Sequence, residues 1–283
     1  MLASGLLAFP NEIVAQGSAV EKVVRESNVG LAGRRLGLLL VGHGTRDARG
    51  VSEFLALADQ VAGRLPNVLV RPGFLEFSAP TVGDAVEAIA SRGVDSMVVV
   101  PALLFAAGHA KRDIPRVIKE ALLGRSEVPF VRAEHFGTHE QLIELSHRRY
   151  QEATSELARI SDDETMLLLI GRGSRDRDAN AEMLEFSKLR QHLGNLPHVT
   201  TAFFAMADPS FELTIQELQR RPFRRIVVQP HLLFFGQIMA QIVDRVNAAN
   251  LQKSDQEWVV CEHLGRSSWL AQVVIDRFIQ ALT

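Results

Sequence analysis

Three polar side chains stand where short apolar runs end, and each is of a type that can hold a metal ion or move a proton. His43 lies in Gly42-His43-Gly44, after Leu38-Leu39-Leu40-Val41. Glu76 closes Phe74-Leu75-Glu76-Phe77, and His109 follows Ala106-Ala107-Gly108. The step from His43 to Glu76 and the step from Glu76 to His109 are both 33 residues. Two imidazoles and a carboxylate suit a borderline divalent ion such as Co²⁺, Fe²⁺, Ni²⁺ or Zn²⁺. The flanking glycines let the backbone turn tightly and leave space around the His43 ring. A helix starting just beyond it disfavours the imidazolium, which keeps the ring neutral and able to ligate. Any one of these histidines alone reads equally well as a hydrogen-bonded turn residue. The three together point to a site.

The elements that must position them alternate in a simple way. Strand-like runs begin near Leu36, Asn67, Val94 and Pro129, and again near Thr165, Val199, Arg225 and Glu257. Between them lie segments of helical spacing, such as Val51-Phe54-Leu55-Ala58-Val61-Leu65. Strand and helix alternating eight times gives parallel sheets covered by helices. In open sheets of this class, ligands bind outside the carboxyl ends of the strands, where all three candidates fall.

The second half repeats the first. Residues 38–47 (LLLVGHGTRD) echo residues 167–176 (LLLIGRGSRD). In the same register Pro80 meets Pro209 and Pro101 meets Pro230. After a one-residue deletion Gly108 meets Gly236, and Glu134, His135 and Gly137 meet Glu262, His263 and Gly265. An echo this long marks an internal duplication. The expected fold is therefore α/β, with two similar lobes, each a four-stranded parallel sheet flanked by helices. The expected limits are an N-terminal extension over 1–34 and lobes over 35–157 and 158–283, divided at Ser161-Asp162-Asp163-Glu164. A closed eight-stranded barrel is the competing architecture, for which the chain is short. The chemistry is not duplicated: Arg172 replaces His43, Ala205 replaces Glu76 and Gln237 replaces His109. An arginine cannot ligate a cation, so a metal site belongs to the first lobe alone.

Composition excludes several other classes. The 283 residues are 47% hydrophobic, with 31 Lys+Arg against 33 Asp+Glu, so there is core material and no basic excess for nucleic acid. No apolar stretch approaches the length of a membrane span. No basic residue precedes Lys22, which argues against a secretory leader, and residues 1–34 read as a loosely ordered extension. The one cysteine, Cys261, sits in an apolar run and reads as core, which fits a cytoplasmic protein. There is no phosphate loop, dinucleotide fingerprint or nucleophile elbow. Asp47, Asp176 and Asp113 read as helix caps, the last because Pro115 suits a first helical turn. His135 and His263 occupy equivalent places, which points to a shared structural role. His139, His147, His192 and His198 read as surface, and His231 has no assigned role.

With these residues together, the chain resembles the class II sirohydrochlorin chelatases in their long two-lobed form, over about residues 36–283. The resemblance rests on Gly42-His43-Gly44-Thr45-Arg46, on Phe74-Leu75-Glu76 and above all on Gly108-His109-Ala110-Lys111-Arg112-Asp113-Ile114-Pro115. It implies an enzyme that inserts Co²⁺ or Fe²⁺, and in some relatives Ni²⁺, into a tetrapyrrole, with no organic cofactor. It further implies His43 and His109 as metal-binding catalytic residues with Glu76 beside them. The ring substrate would lie on Leu104-Phe105-Ala106-Ala107-Gly108, with Arg46 and Arg172 facing its carboxylates. Two lobes in one chain suggest a monomer. A carrier of tetrapyrrole or metal using the same pocket is the alternative. One departure is visible: many relatives carry Asn eight residues after the first histidine, where this chain has Val51, while its second half has Asn180. That bears on loop geometry rather than on the ligands.

Overall fold

The computed structural model describes residues 33–105, 108–123, 128–252, 255–265 and 267–283, with only the backbone described for 108–112. Strands β1 (Leu36–Gly42), β2 (Val68–Phe74), β3 (Ser96–Pro101) and β4 (Phe130–Arg132) form one parallel sheet in the order β2-β1-β3-β4. Strands β5 (Thr165–Gly171), β6 (Val199–Phe203), β7 (Arg225–Pro230) and β8 (Glu257–Val260) form a second in the order β6-β5-β7-β8. The two sheets stay separate, so the closed barrel is excluded. The extension, residues 1–34, falls outside the described residues up to position 32.

The central strands are apolar at nearly every position because both their faces are covered. All seven residues of β1 are buried; Leu38 and Leu40 point to one face, Leu39 and Val41 to the other. Helix α1 (Ala48–Arg64) supplies Phe54, Leu57, Ala58 and Val61 to the first face. Helices α2 (Val82–Ala90) and α3 (Gly108–Leu122) supply Val86, Ile89, Ile114 and Ile118 to the second. A fully buried Phe54 or Phe186 contributes about 2–3 kcal/mol. The first helix of each half starts at the expected cap: Asp47 accepts from the Arg49 N–H at 2.9 Å, and Asp176 from the Asp178 N–H at 3.1 Å. Asp113 is not a cap. Helix α3 begins at Gly108, which leaves Asp113 and Pro115 inside it, so the proline marks an interior turn instead of a helix start.

The halves trade their last helices. Helix α4 (Glu140–Thr154) follows β4 in the chain but packs on α5 (Arg177–Gly194), β7 and β8 of the second sheet. Helix α8 (Ser268–Gln280) follows β8 but packs on α1 and β3 of the first. Helices α6 (Phe211–Leu218) and α7 (Gln237–Gln252) cover the remaining face of the second sheet with Phe211, Ile215, Ile242 and Val246. The exchange joins the halves through one apolar cluster holding Leu142, Phe186, Leu233, Leu264 and Phe278. No helix among the described residues is long and apolar enough to cross a membrane.

Candidate metal and tetrapyrrole site

Strand order decides which candidates can meet. Strand β1 lies between β2 and β3, so His43, after β1, has the loop of Glu76 on one side and the start of α3 on the other. The His43 and Glu76 loops are laced by backbone bonds. The Leu75 N–H donates to Gly42 O at 2.9 Å and the Glu76 N–H to His43 O at 3.0 Å. This close crossing explains the glycines. Gly44 has φ +98°, and a Cβ there would lie 1.8 Å from Glu76 O. A Cβ at Gly42 would lie 2.9 Å from the Phe54 ring.

His43 and Glu76 are both exposed. Phe77, which sequence reasoning missed, lies against both His43 and Arg46. Its ring is stacked on the His43 ring at 6.2 Å and 21°, and the Arg46 guanidinium lies 4.9 Å from its centroid. Phe77 is 56% exposed and held at φ +63°, a conformation that costs a non-glycine residue about 1 kcal/mol or more. The Ser78 N–H closes the tight turn around it by donating to Glu76 O at 2.8 Å. Its repeat partner Met206 is likewise at positive φ, +61°, and 53% exposed, and no residue type in the sequence marks this turn. An exposed imidazole and carboxylate beside an apolar ring face and a guanidinium can hold a divalent ion next to a flat, acid-edged molecule.

His109 enters through its backbone. It occupies the first turn of α3, directly beyond β3 and beside β1, and its side chain lies outside the described residues, as do Ala106 and Ala107. Among the described residues no group of three or more His, Cys, Asp or Glu converges to hold a metal ion. Gly108 opens α3. Leu104 and Phe105 are half-buried: Leu104 O accepts from the Gly137 N–H at 2.7 Å, and the Phe105 ring lies 5.4 Å from that of His231. Both side chains pack against the apolar cluster that joins the halves. Arg172 stands exposed at the end of β5, with Gly173 at φ +82° and the Ala205 N–H donating to Arg172 O at 3.0 Å. The second half thus keeps the frame of the His43 loop without its donors.

Four of the other histidines are held in packing or pairing contacts. His231 is buried between Phe186, at 4.0 Å, and Phe105, and neither ring nitrogen has a hydrogen-bond partner among the described residues; burial pulls its pKa down to about 3. His135 and His263 each pair with a glutamate, Glu182 at 2.6 Å and Glu53 at 2.8 Å. His139 is not a free surface residue. Its side chain is 10% exposed, and its Nδ1 accepts from the Gln141 N–H at 3.2 Å to cap α4.

The CbiX family profile matches residues 37–153 and again 166–281. The sirohydrochlorin cobaltochelatase of Priestia megaterium is 28% identical over 246 residues, which is 87% of this chain and 79% of that protein. The sirohydrochlorin cobaltochelatase of Sulfurisphaera tokodaii is 40% identical over 119 residues, 41% of this chain and 92% of that protein. Among solved structures, SirB from Bacillus subtilis with Fe3+ superposes with a TM-score of 0.78 at 23% identity, covering 88% of this chain and 96% of that one. At that identity the superposition speaks for the fold.

Proposed function

This chain belongs to the CbiX family, and from that membership we propose that it is a sirohydrochlorin chelatase, inserting a divalent metal ion (Co²⁺, Fe²⁺ or Ni²⁺) into the tetrapyrrole. The observation that carries the reading is local. His43 and Glu76, on adjacent strand ends, are laced together and exposed beside the Phe77 ring, while the same frame in the second half holds Arg172 and Ala205.

In this reading His43, with His109 from the first turn of α3, receives the incoming ion, and Glu76 orients it or accepts a proton. Insertion releases two pyrrole N–H protons as the ring nitrogens take the ion. Neutral imidazole and carboxylate are the groups that can carry those protons away. The Phe77 face supports the macrocycle, and Arg46 and Arg172 pair with its carboxylates. The ion is substrate, and no organic cofactor takes part. The reading also takes the protein as a cytoplasmic monomer with no nucleic-acid or membrane partner; the monomer is supported by each half being completed, within one chain, by the other's last helix. Anaerobic incubation with sirohydrochlorin and each metal, followed by absorbance, tests the activity. Binding of both ligands without turnover would make it a carrier.

A further inference from the structure

Ser78 and Asn180 hold the same backbone groups in the two halves, from different places. In the second half the Ser174 N–H donates to Asn180 Oδ1 at 3.0 Å, and Asn180 Nδ2 donates to Ser174 O at 2.8 Å. Asn180 is on α5, so the loop carrying Arg172 is tied to its own helix. The repeat partner of Asn180 is Val51, which can form neither bond. In the first half one hydroxyl takes both groups instead. The Thr45 N–H donates to Ser78 Oγ at 3.3 Å, and Ser78 Oγ donates to Thr45 O at 2.6 Å. The repeat partner of Ser78 is Ala207. The exchange is reciprocal: Val51 goes with Ser78, and Asn180 with Ala207.

The two solutions tie the loop to different neighbours. Asn180 fastens its loop to a helix. Ser78 fastens the His43 loop to the loop that bears Glu76, as a third rung beyond Leu75 to Gly42 and Glu76 to His43. The same serine closes the turn around Phe77 through its N–H. We propose that Ser78 is a positioning residue that sets His43 against Glu76, replacing an asparagine on the following helix. The proposal rests on the reading of His43 and Glu76 as the groups that receive the metal.

The test compares wild type, Ser78→Ala and the double variant Val51→Asn/Ser78→Ala. Val51 is half-buried and asparagine is no bulkier, so the double variant can place the second half's amide in the first. Co²⁺ binding is followed by its visible absorption without tetrapyrrole, and Co²⁺ insertion by steady-state kinetics. Ser78→Ala should weaken Co²⁺ binding and lower kcat/KM for Co²⁺ about tenfold, with KM for sirohydrochlorin unchanged. The double variant should return both to within about twofold of wild type. Wild-type constants in Ser78→Ala, or a double variant as impaired as the single one, would overturn the proposal. Wild type that binds Co²⁺ in a Ser78-dependent way yet inserts none of Co²⁺, Fe²⁺ and Ni²⁺ would refute the chelatase reading and leave the positioning role standing. Absence of binding of all three metals would refute both.

Discussion

Glu53 Oε2 lies 2.8 Å from His263 Nε2, with both side chains almost wholly buried, at 3% and 2% exposure. The repeat makes the pair twice, in opposite directions: Glu182 on α5 reaches His135 beyond β4, as Glu53 on α1 reaches His263 beyond β8. Each half's first helix thus locks to the other half's last strand, beside the exchanged helices. The copies differ in depth, since Glu182 and His135 are 35% and 18% exposed. Glu53 Oε2 also accepts from the Phe235 N–H at 2.8 Å, and its Oε1 takes Arg49 Nε at 3.1 Å.

Glu53→Ala should therefore cost about 2–4 kcal/mol, because it leaves His263 Nε2 and the Phe235 N–H buried without their hydrogen-bond partner. Glu182→Ala should cost about 1 kcal/mol or less, because its pair is partly solvated. Urea unfolding of the two variants checks the difference, and equal losses would contradict it. The pair also has a pH sign. Burial pushes the Glu53 carboxyl up, but the Phe235 N–H, the His263 charge and Arg49 together outweigh it and hold the pKa below the ordinary value of 4.5. Its contribution is present above that value and is lost as pH falls through the folded pKa.

His231 gives a second acid sensitivity at higher pH. Its folded pKa of about 3 lies below the ordinary 6.5, so the unfolded chain takes a proton that the folded one refuses. Stability is full above pH 6.5 and falls as pH drops toward 3, by about 2 kcal/mol between pH 7 and pH 5. His231→Leu should stay within about 1.5 kcal/mol of wild type at pH 7 and lose less on acidification. Denaturant midpoints at pH 7 and pH 5 read this directly. An unchanged pH dependence would contradict the assignment.

Much of this was legible in the sequence, for identifiable reasons. Periodicity located the strands, because a run such as Leu38-Leu39-Leu40-Val41 has one structural use when both faces are covered. The repeat separated frame from chemistry: Gly44 and Gly173 persist because the crossing loop leaves no room for a Cβ, while His43 becomes Arg172. The helix exchange was not legible, because the apolar stripe of α4 says that it is buried and not against which sheet. Asp113 is not the cap its spacing suggests, because proline favours a helix's first turn and Pro115 instead lies well inside α3. Phe77 and Ser78 escaped because their roles depend on a loop crossing that residue types alone do not reveal.

His43→Ala and His109→Ala should each lower kcat for metal insertion by about 10²-fold or more, since the proposed function uses each as a metal donor or proton acceptor. Gln237→Ala, at the place of His109 in the second half, should have a far smaller effect. Steady-state rates at saturating Co²⁺ compare them. Loss of turnover in Gln237→Ala with His109→Ala intact would invert the assignment of halves.

Arg172→Ala should act on binding. Removing one cation that, in the proposed function, pairs with a substrate carboxylate costs about 1–3 kcal/mol, or roughly a 5-fold to 150-fold rise in KM for sirohydrochlorin with kcat nearly kept. A fall in kcat with KM unchanged would place Arg172 in the chemistry instead.

The most direct measurement is anaerobic absorbance of sirohydrochlorin with Co²⁺, Fe²⁺ or Ni²⁺, with and without the protein. The account predicts conversion to the metallated spectrum faster than the spontaneous reaction for at least one metal, with that acceleration abolished in His43→Ala. Rates equal to the protein-free control for all three metals would contradict it.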